Sequence, residues 1–181
     1  MSAAVHTANR RVLIIDDNRD IHADFGKILC VAATENAALA ALEDSLFGTE
    51  TPAPAQDGFQ LFSAYQGRDG FEMVQRAEHD GHPFVLAFVD VRMPPGWDGV
   101  ETIHRIWQVS QNLQTVICTA YSDYSWEQVL ERLGASDRLL IIRKPFDPAE
   151  VQRLACALTE KWGKLRESIG EVAERSATGM G

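Results

Sequence analysis

Four short stretches of this chain carry residues whose types suit chemistry on a charged, oxygen-rich substrate. Asp16-Asp17 follows the apolar run Arg11–Ile15, and Asp90 closes Pro83–Asp90, the most apolar run in the sequence. Thr119 ends Leu113–Thr119, and Lys144-Pro145 follows Arg138–Ile142. Taken singly, each has an ordinary explanation. An Asp-Asp pair after a strand is most often a turn or a helix cap, and a Lys-Pro pair is most often a surface turn. Taken together, all of them fall at or just after the ends of apolar runs, and nothing comparable precedes those runs. Three clustered carboxylates repel one another and raise each other's pKa values. A hard divalent cation such as magnesium, which prefers oxygen ligands, relieves that repulsion. A carboxylate held beside such a cation and a lysine can attack a phosphoryl group. The cation and the ammonium then offset charge on the phosphoryl oxygens, and a threonine hydroxyl can hydrogen-bond one of them.

The surrounding pattern predicts elements that bring these residues to one edge. The apolar runs Arg11–Ile15, Phe59–Tyr65, Pro83–Asp90, Leu113–Thr119 and Arg138–Ile142 read as strands. Between them, helical spacing appears over Asp20–Leu29, Gly67–His79, Asp98–Val109 and Ser125–Leu133. Ser125 caps its helix and Gly134 stops it. A last helix opens at Asp147, with Pro148 at its first position. A further alanine-rich helical pattern, Thr34–Phe47, leads into the proline-containing loop Gly48–Asp57. Near-continuous apolar strands separated by helices imply a parallel sheet covered on both faces, a doubly wound α/β fold. Ligands of such folds bind beyond the carboxyl ends of the strands. That is where Asp16, Asp17, Asp90, Thr119 and Lys144 stand.

Composition bounds the alternatives. The chain has 181 residues, 45% hydrophobic and 24% charged, which suits one globular domain with extensions. Acidic residues outnumber basic ones, 26 to 17, for a net charge of −9. Such a field repels nucleic acid, so none is expected as a partner. Cys30, Cys118 and Cys156 are odd in number and widely spaced, and read as reduced core thiols of a cytoplasmic protein. No apolar run approaches the ~18 residues of a membrane span, and the polar start lacks the apolar run of a signal peptide. Val151, Leu154, Leu158, Trp162, Leu165, Ile169 and Val172 continue at steps of 3, 4, 4, 3, 4 and 3, a helical seam longer than the domain requires. Residues 1–158 are therefore expected to form the domain, with an insertion at about 34–57, and 159–181 a helical extension. The end of that extension, Ala173–Gly181, reads as a disordered tail.

At its charged residues the sequence resembles a bacterial two-component response-regulator receiver domain, over about Arg10–Leu158. Val12–Asp17 (VLIIDD) resembles that family's first strand and acidic pair, and Val89–Gly99 (VDVRMPPGWDG) its phosphoacceptor segment. Thr119-Ala120 resembles the switch threonine and the small residue after it, and Lys144-Pro145-Phe146 the lysine segment with its cis peptide bond. The resemblance implies a flavodoxin-like sheet of order 2-1-3-4-5 and a phosphoryl group accepted at Asp90 from a histidine kinase or phosphotransfer protein. It also implies magnesium held by Asp17, Asp90 and the backbone carbonyl of Arg92, with Asp16 contributing through water. Three departures stand out. The insertion separates the first helix from the second strand. The segment Met93–Gly99 is one residue longer than the family's usual form. Ile141 occupies the position of a switch aromatic, although Tyr121 or Tyr124 could supply one.

Other classes fit less well. An aspartate-nucleophile phosphatase wants an acid two residues after the nucleophile, where Arg92 stands. A flavodoxin-type cofactor binder wants a phosphate-cradling loop after the first strand, where Asp16-Asp17 would repel phosphate. A degenerate receiver acting as a constitutive scaffold would not require the full acidic set and Lys144. Too few residues follow Leu158 for an output module. Action through protein contacts is expected, including a homodimer through the C-terminal helix, or else an output domain outside this chain.

Overall fold

The computed structural model describes residues 9–30, 58–120 and 125–178. Five strands and five helices alternate along them. They are β1 (Arg11–Ile15), α1 (19–30), β2 (Gln60–Ala64), α2 (Gly67–His79) and β3 (Leu86–Asp90). Then follow α3 (Gly99–Val109), β4 (Gln114–Thr119), α4 (Trp126–Leu133), β5 (Leu139–Arg143) and α5 (Pro148–Thr178). All strand pairs are parallel, in the order β2-β1-β3-β4-β5.

Alternation along each strand divides the core in two. Leu13, Ile15, Ala87, Val89 and Ile117 face one layer, where they meet Val74 of α2, Ile103 and Ile106 of α3 and Val129 of α4. Val12, Ile14, Leu86, Phe88, Val116 and Cys118 face the other, against Phe25 and Leu29 of α1 and Val151, Ala155 and Leu158 of α5. Every residue of β3 is buried, which is why the strand is apolar up to Asp90 at its carboxyl end. The aromatic centre of the second layer is Phe25, whose ring lies 4.6 Å from that of Phe88 and 5.1 Å from that of Phe146.

Local chemistry sets several boundaries. Asp98 caps α3 by accepting the Glu101 N–H at 2.7 Å. Ser125 and Gln128 form a reciprocal capping box on α4, and Gly134 ends that helix at φ +74°. The Asp147 side chain accepts the Ala149 N–H at the start of α5.

Some expectations change. Of the cysteines expected in the core, only Cys118 is there; Cys30 and Cys156 are exposed because they fall on the outer faces of α1 and α5. The last strand lies one residue later than expected, at Leu139–Arg143. Ala173–Thr178 continue α5 rather than forming a tail, since nothing before Thr178 breaks the helix. Burial along α5 runs past residue 158 to Thr159 and Trp162. The expected helix Thr34–Phe47, the loop Gly48–Asp57, and Tyr121 and Tyr124 lie outside the described residues. No helix among the described residues is long and apolar enough to cross a membrane.

Candidate functional site

The strand order reverses between β1 and β3, so the loops leaving those two neighbours diverge and open a crevice at their carboxyl ends. Asp16 and Asp17 follow β1 directly, and Asp90 is the last residue of β3. Oxygens of all three carboxylates lie within 4.8 Å of one another. Asp16 and Asp90 are buried, at 2% and 7% exposure, and Asp17 is exposed. Lys144, just beyond β5, reaches across the β4 end into the crevice. Its Nζ donates to Asp16 Oδ2 at 2.7 Å and to Asp90 Oδ1 at 2.9 Å. The Lys144 N–H donates to the Thr119 carbonyl at 2.8 Å, continuing the β4–β5 ladder to the site. The Lys144–Pro145 peptide is cis, as the resemblance implied, and so is Pro94–Pro95.

Asp16 is held on several sides. Its N–H donates to the Ala64 carbonyl at 3.1 Å. Its Oδ1 accepts the Asn18 N–H at 2.8 Å, and its own carbonyl lies 2.8 Å from His22 Nε2. The backbone of Asp90 is approached as closely. Gly99 N–H donates to the Val91 carbonyl at 2.8 Å, and a Cβ on Gly99 would stand 2.2 Å from the Asp90 carbonyl oxygen. Only glycine fits there. The lengthened loop Met93–Asp98 closes with a Gly96 N–H to Met93 carbonyl bond, and Trp97 packs edge-on to Phe71 beneath the Arg105 guanidinium. The extra residue is thus absorbed against α2 and α3.

The electrostatics follow from burial. Asp90 is raised above the ordinary aspartate range, first by burial and then by the nearby Asp16 and Asp17; the hydrogen bond from Lys144 offsets only part of this. Burial alone would lower Lys144, but its hydrogen bonds to Asp16 and Asp90 prevail and hold it above the usual lysine value. Burial also pushes the Cys118 thiol well up. Three carboxylates facing one ammonium leave two negative charges, in a setting where all the donors are hard oxygens. That set fits magnesium.

The crevice therefore unites Asp16, Asp17, Asp90 and Lys144. Thr119 stands at the end of β4 beside them, with its hydroxyl donated to the Ala120 carbonyl at 2.9 Å. Ile141 pairs with Ile117 across β4–β5 and, partly buried, packs as an aliphatic side chain against the α2–α4 layer. The sequence reading gave no role to His22, Asp98 or Gly99. Asp98 and Gly99 stood inside the phosphoacceptor segment, and Asp98 was legible as a cap from its place before an apolar helical pattern. Nothing in the sequence marks His22, one turn into a helix.

A doubly wound sheet with an acid–lysine cluster at its topological switch point defines the class. The model of the response regulator receiver domain matches residues 49–155, more than half of the chain, and the chain belongs to this family of two-component signalling proteins. In the structure, β1 and α1, which precede the matched segment, complete the sheet and supply Asp16 and Asp17. The chain is similar to sporulation initiation phosphotransferase F of Bacillus subtilis, 31% identical over 97 residues, covering 54% of this chain and 71% of that protein. It is also similar to transcriptional regulatory protein TctD of Salmonella typhimurium, 32% identical over 124 residues. That match covers 67% of this chain but only 48% of TctD, so the chain spans about half of that relative. Among solved structures, a response regulator receiver domain protein from Methanospirillum hungatei superposes with a TM-score of 0.60 at 18% identity, covering 86% of this chain and 97% of that one. The signal receiver domain of an HD domain-containing protein from Pseudomonas fluorescens gives 0.63 at 16% identity, covering 92% and 98%. At those identities the likeness concerns the fold.

Proposed function

We propose that this chain is a phosphorylation-controlled receiver in which Asp90 accepts a phosphoryl group from a histidine kinase or phosphotransfer protein. The observation that carries this reading is the bridge made by Lys144 Nζ between Asp16 and Asp90. An ammonium beside the Asp90 carboxylate can offset charge on an incoming phosphoryl group, which supports the reading. A carboxylate oxygen of Asp90 forms the new bond to phosphorus. The bond from phosphorus to the partner's imidazole nitrogen breaks, and that nitrogen keeps the electron pair. Asp16, Asp17 and Asp90, with the backbone carbonyl of Arg92, would hold magnesium, which supplies positive charge against the transferring phosphoryl oxygens. Lys144 pairs with one phosphoryl oxygen, and the Thr119 hydroxyl turns from the Ala120 carbonyl to bond another.

Output runs through protein contacts at the α5 side. Burial ends at Trp162, while Leu165 and Ile169 continue the apolar spacing and Ile169 is 51% exposed. A second copy packing helix against helix covers that stripe. With Ile141 in the switch position, the phosphoryl group favours one arrangement of α5 through Lys144 and the Pro145–Phe146 turn. The segment 159–181 then acts as a signalling extension of the domain.

Mass spectrometry after incubation with acetyl phosphate and magnesium tests the core of this reading. One phosphoryl group is expected on the native chain and none on Asp90→Asn. Equal labelling of both would overturn it. Sedimentation of the native chain and a Leu165→Asp/Ile169→Asp variant, with and without beryllofluoride, tests the dimer. A native chain monomeric in both states would remove the self-association claim.

A further inference from the structure

His22 lies beside the acidic crevice and makes two polar contacts that link separate strands. Its Nε2 is 2.8 Å from the Asp16 carbonyl at the end of β1, and its Nδ1 is 2.9 Å from Ser63 Oγ in β2. A carbonyl oxygen only accepts, so Nε2 carries the proton and donates it. In the neutral ring Nδ1 then accepts from the Ser63 hydroxyl, which fixes the tautomer. The ring is braced from one side by Tyr65, centroid to centroid 4.7 Å, and Tyr65 is itself covered by the Arg19 guanidinium at 4.4 Å.

The Asp16 carbonyl belongs to the peptide that joins Asp16 to Asp17. Asp16 is otherwise secured by Lys144, by Asn18 N–H and by its own N–H to Ala64. Asp17 is exposed, yet a carboxylate oxygen of it lies within 4.8 Å of oxygens of the other two, a spacing that lets the three share one cation. A peptide plane can pivot about its two flanking bonds, and a pivot here would swing the Asp17 carboxylate out of the crevice. The bond from His22 opposes that pivot. Groups that orient metal ligands in this way commonly shift affinity by about 10-fold or more when removed.

We infer that His22 is a positioning residue for the cation site: its Nε2–H holds the Asp16 carbonyl and so sets the peptide that carries the Asp17 carboxylate into the cluster. The inference rests on the reading of Asp16, Asp17 and Asp90 as magnesium ligands. Two substitutions separate the two ends of the imidazole. Glutamine extends a side-chain N–H to about the place of Nε2, whereas asparagine reaches only the place of Nδ1. Both are polar and of similar size, so a difference between them reports on the Asp16 contact rather than on folding.

The experiment is calorimetric titration of magnesium chloride into native, His22→Gln, His22→Asn and Asp17→Ala chains, with thermal melts in the absence of magnesium. Near-native affinity is expected for His22→Gln, and affinity about 10-fold weaker for His22→Asn, with similar melting of the two. Equal affinity in the two His22 variants would overturn the inference, whether both bind well or both bind weakly. Asp17→Ala tests the underlying site separately. If it binds magnesium like the native chain, the ligand assignment fails; if it loses binding while the His22 variants match each other, the ligands stand and only the positioning role falls.

Discussion

Lys144 follows β5 and Asp90 ends β3, strands that are not neighbours, yet Nζ of one lies 2.9 Å from Oδ1 of the other. β4 runs between them, ending in Thr119, whose carbonyl holds the Lys144 backbone. A single ammonium thereby ties β5 to both β3 and β1, since it also bonds Asp16. That ammonium therefore links Asp90 to the segment that leads from β5 into α5.

Asp90→Asn should raise stability in the absence of magnesium. Asp90 is raised above its ordinary value by burial and by its acidic neighbours, so the folded state binds its proton more tightly than the unfolded chain does. The ionised form therefore destabilises the fold. The native chain loses stability as pH climbs from the ordinary aspartate value through the raised one. The amide removes that loss while keeping an acceptor for Lys144. The variant's advantage should be absent in acid, below the ordinary aspartate value, and complete at neutral pH. Melting followed by circular dichroism across that range checks it; a gain of ~1 kcal/mol would appear as a rise of roughly 2–4 °C.

Removing Lys144 should do the reverse. Lys144→Ala strands two mostly buried carboxylates without their shared donor, at a cost of about 1.5–3 kcal/mol for bonds between charged groups. Some phosphorylation from acetyl phosphate should persist, with a blunted conformational response. Lys144→Arg should restore neither fully, because a planar fork does not replace a compact ammonium between two carboxylates. Urea denaturation and beryllofluoride-induced spectral change read the two effects. A Lys144→Arg chain native in both would contradict the bridge.

Gly99→Ala tests the packing behind the acceptor. The added methyl would meet the Asp90 carbonyl oxygen at 2.2 Å, and backbone rather than a flexible side chain must yield. A loss of about 1–3 kcal/mol is expected, together with slower labelling of Asp90. Native stability and labelling would show that the loop relaxes freely.

The Asp98 carboxylate caps α3 at Glu101 N–H and meets Arg132 of α4 at 3.3 Å. The cap should matter more. Asp98→Ala is expected to cost about 1 kcal/mol. Arg132→Ala should cost well under that, because Arg132 is 50% exposed and exposed ion pairs contribute ~0.2–1 kcal/mol. A double-mutant cycle in urea separates the two contributions, and a larger loss for Arg132→Ala would reverse the ranking.

The residue types at the strand ends were legible in the sequence because a buried parallel strand is an apolar run, and whatever follows it stands at its carboxyl edge. Asp16, Asp17, Asp90, Thr119 and Lys144 were found that way, and so was the doubly wound α/β class. The resemblance supplied the strand order 2-1-3-4-5. The linear pattern, with three widely spaced cysteines read as core thiols, misjudged Cys30 and Cys156, since a small side chain on a helix sits equally well on either face. It also ended α5 too early, because Ala173–Thr178 carry little apolar pattern but nothing that breaks a helix. The tertiary structure alone decided which groups touch. Lys144 bridges Asp16 and Asp90 only because the parallel sheet brings the carboxyl ends of β1, β3 and β5 to one edge, where its side chain reaches across the end of β4. His22 reaches the Asp16 carbonyl only because the packing of Phe25 and Leu29 fixes the rotation of α1. Gly99 is required only because α3 starts against the Asp90 carbonyl. Each of these contacts joins separately placed elements, and their meeting depends on register and helix rotation, which a linear pattern does not encode.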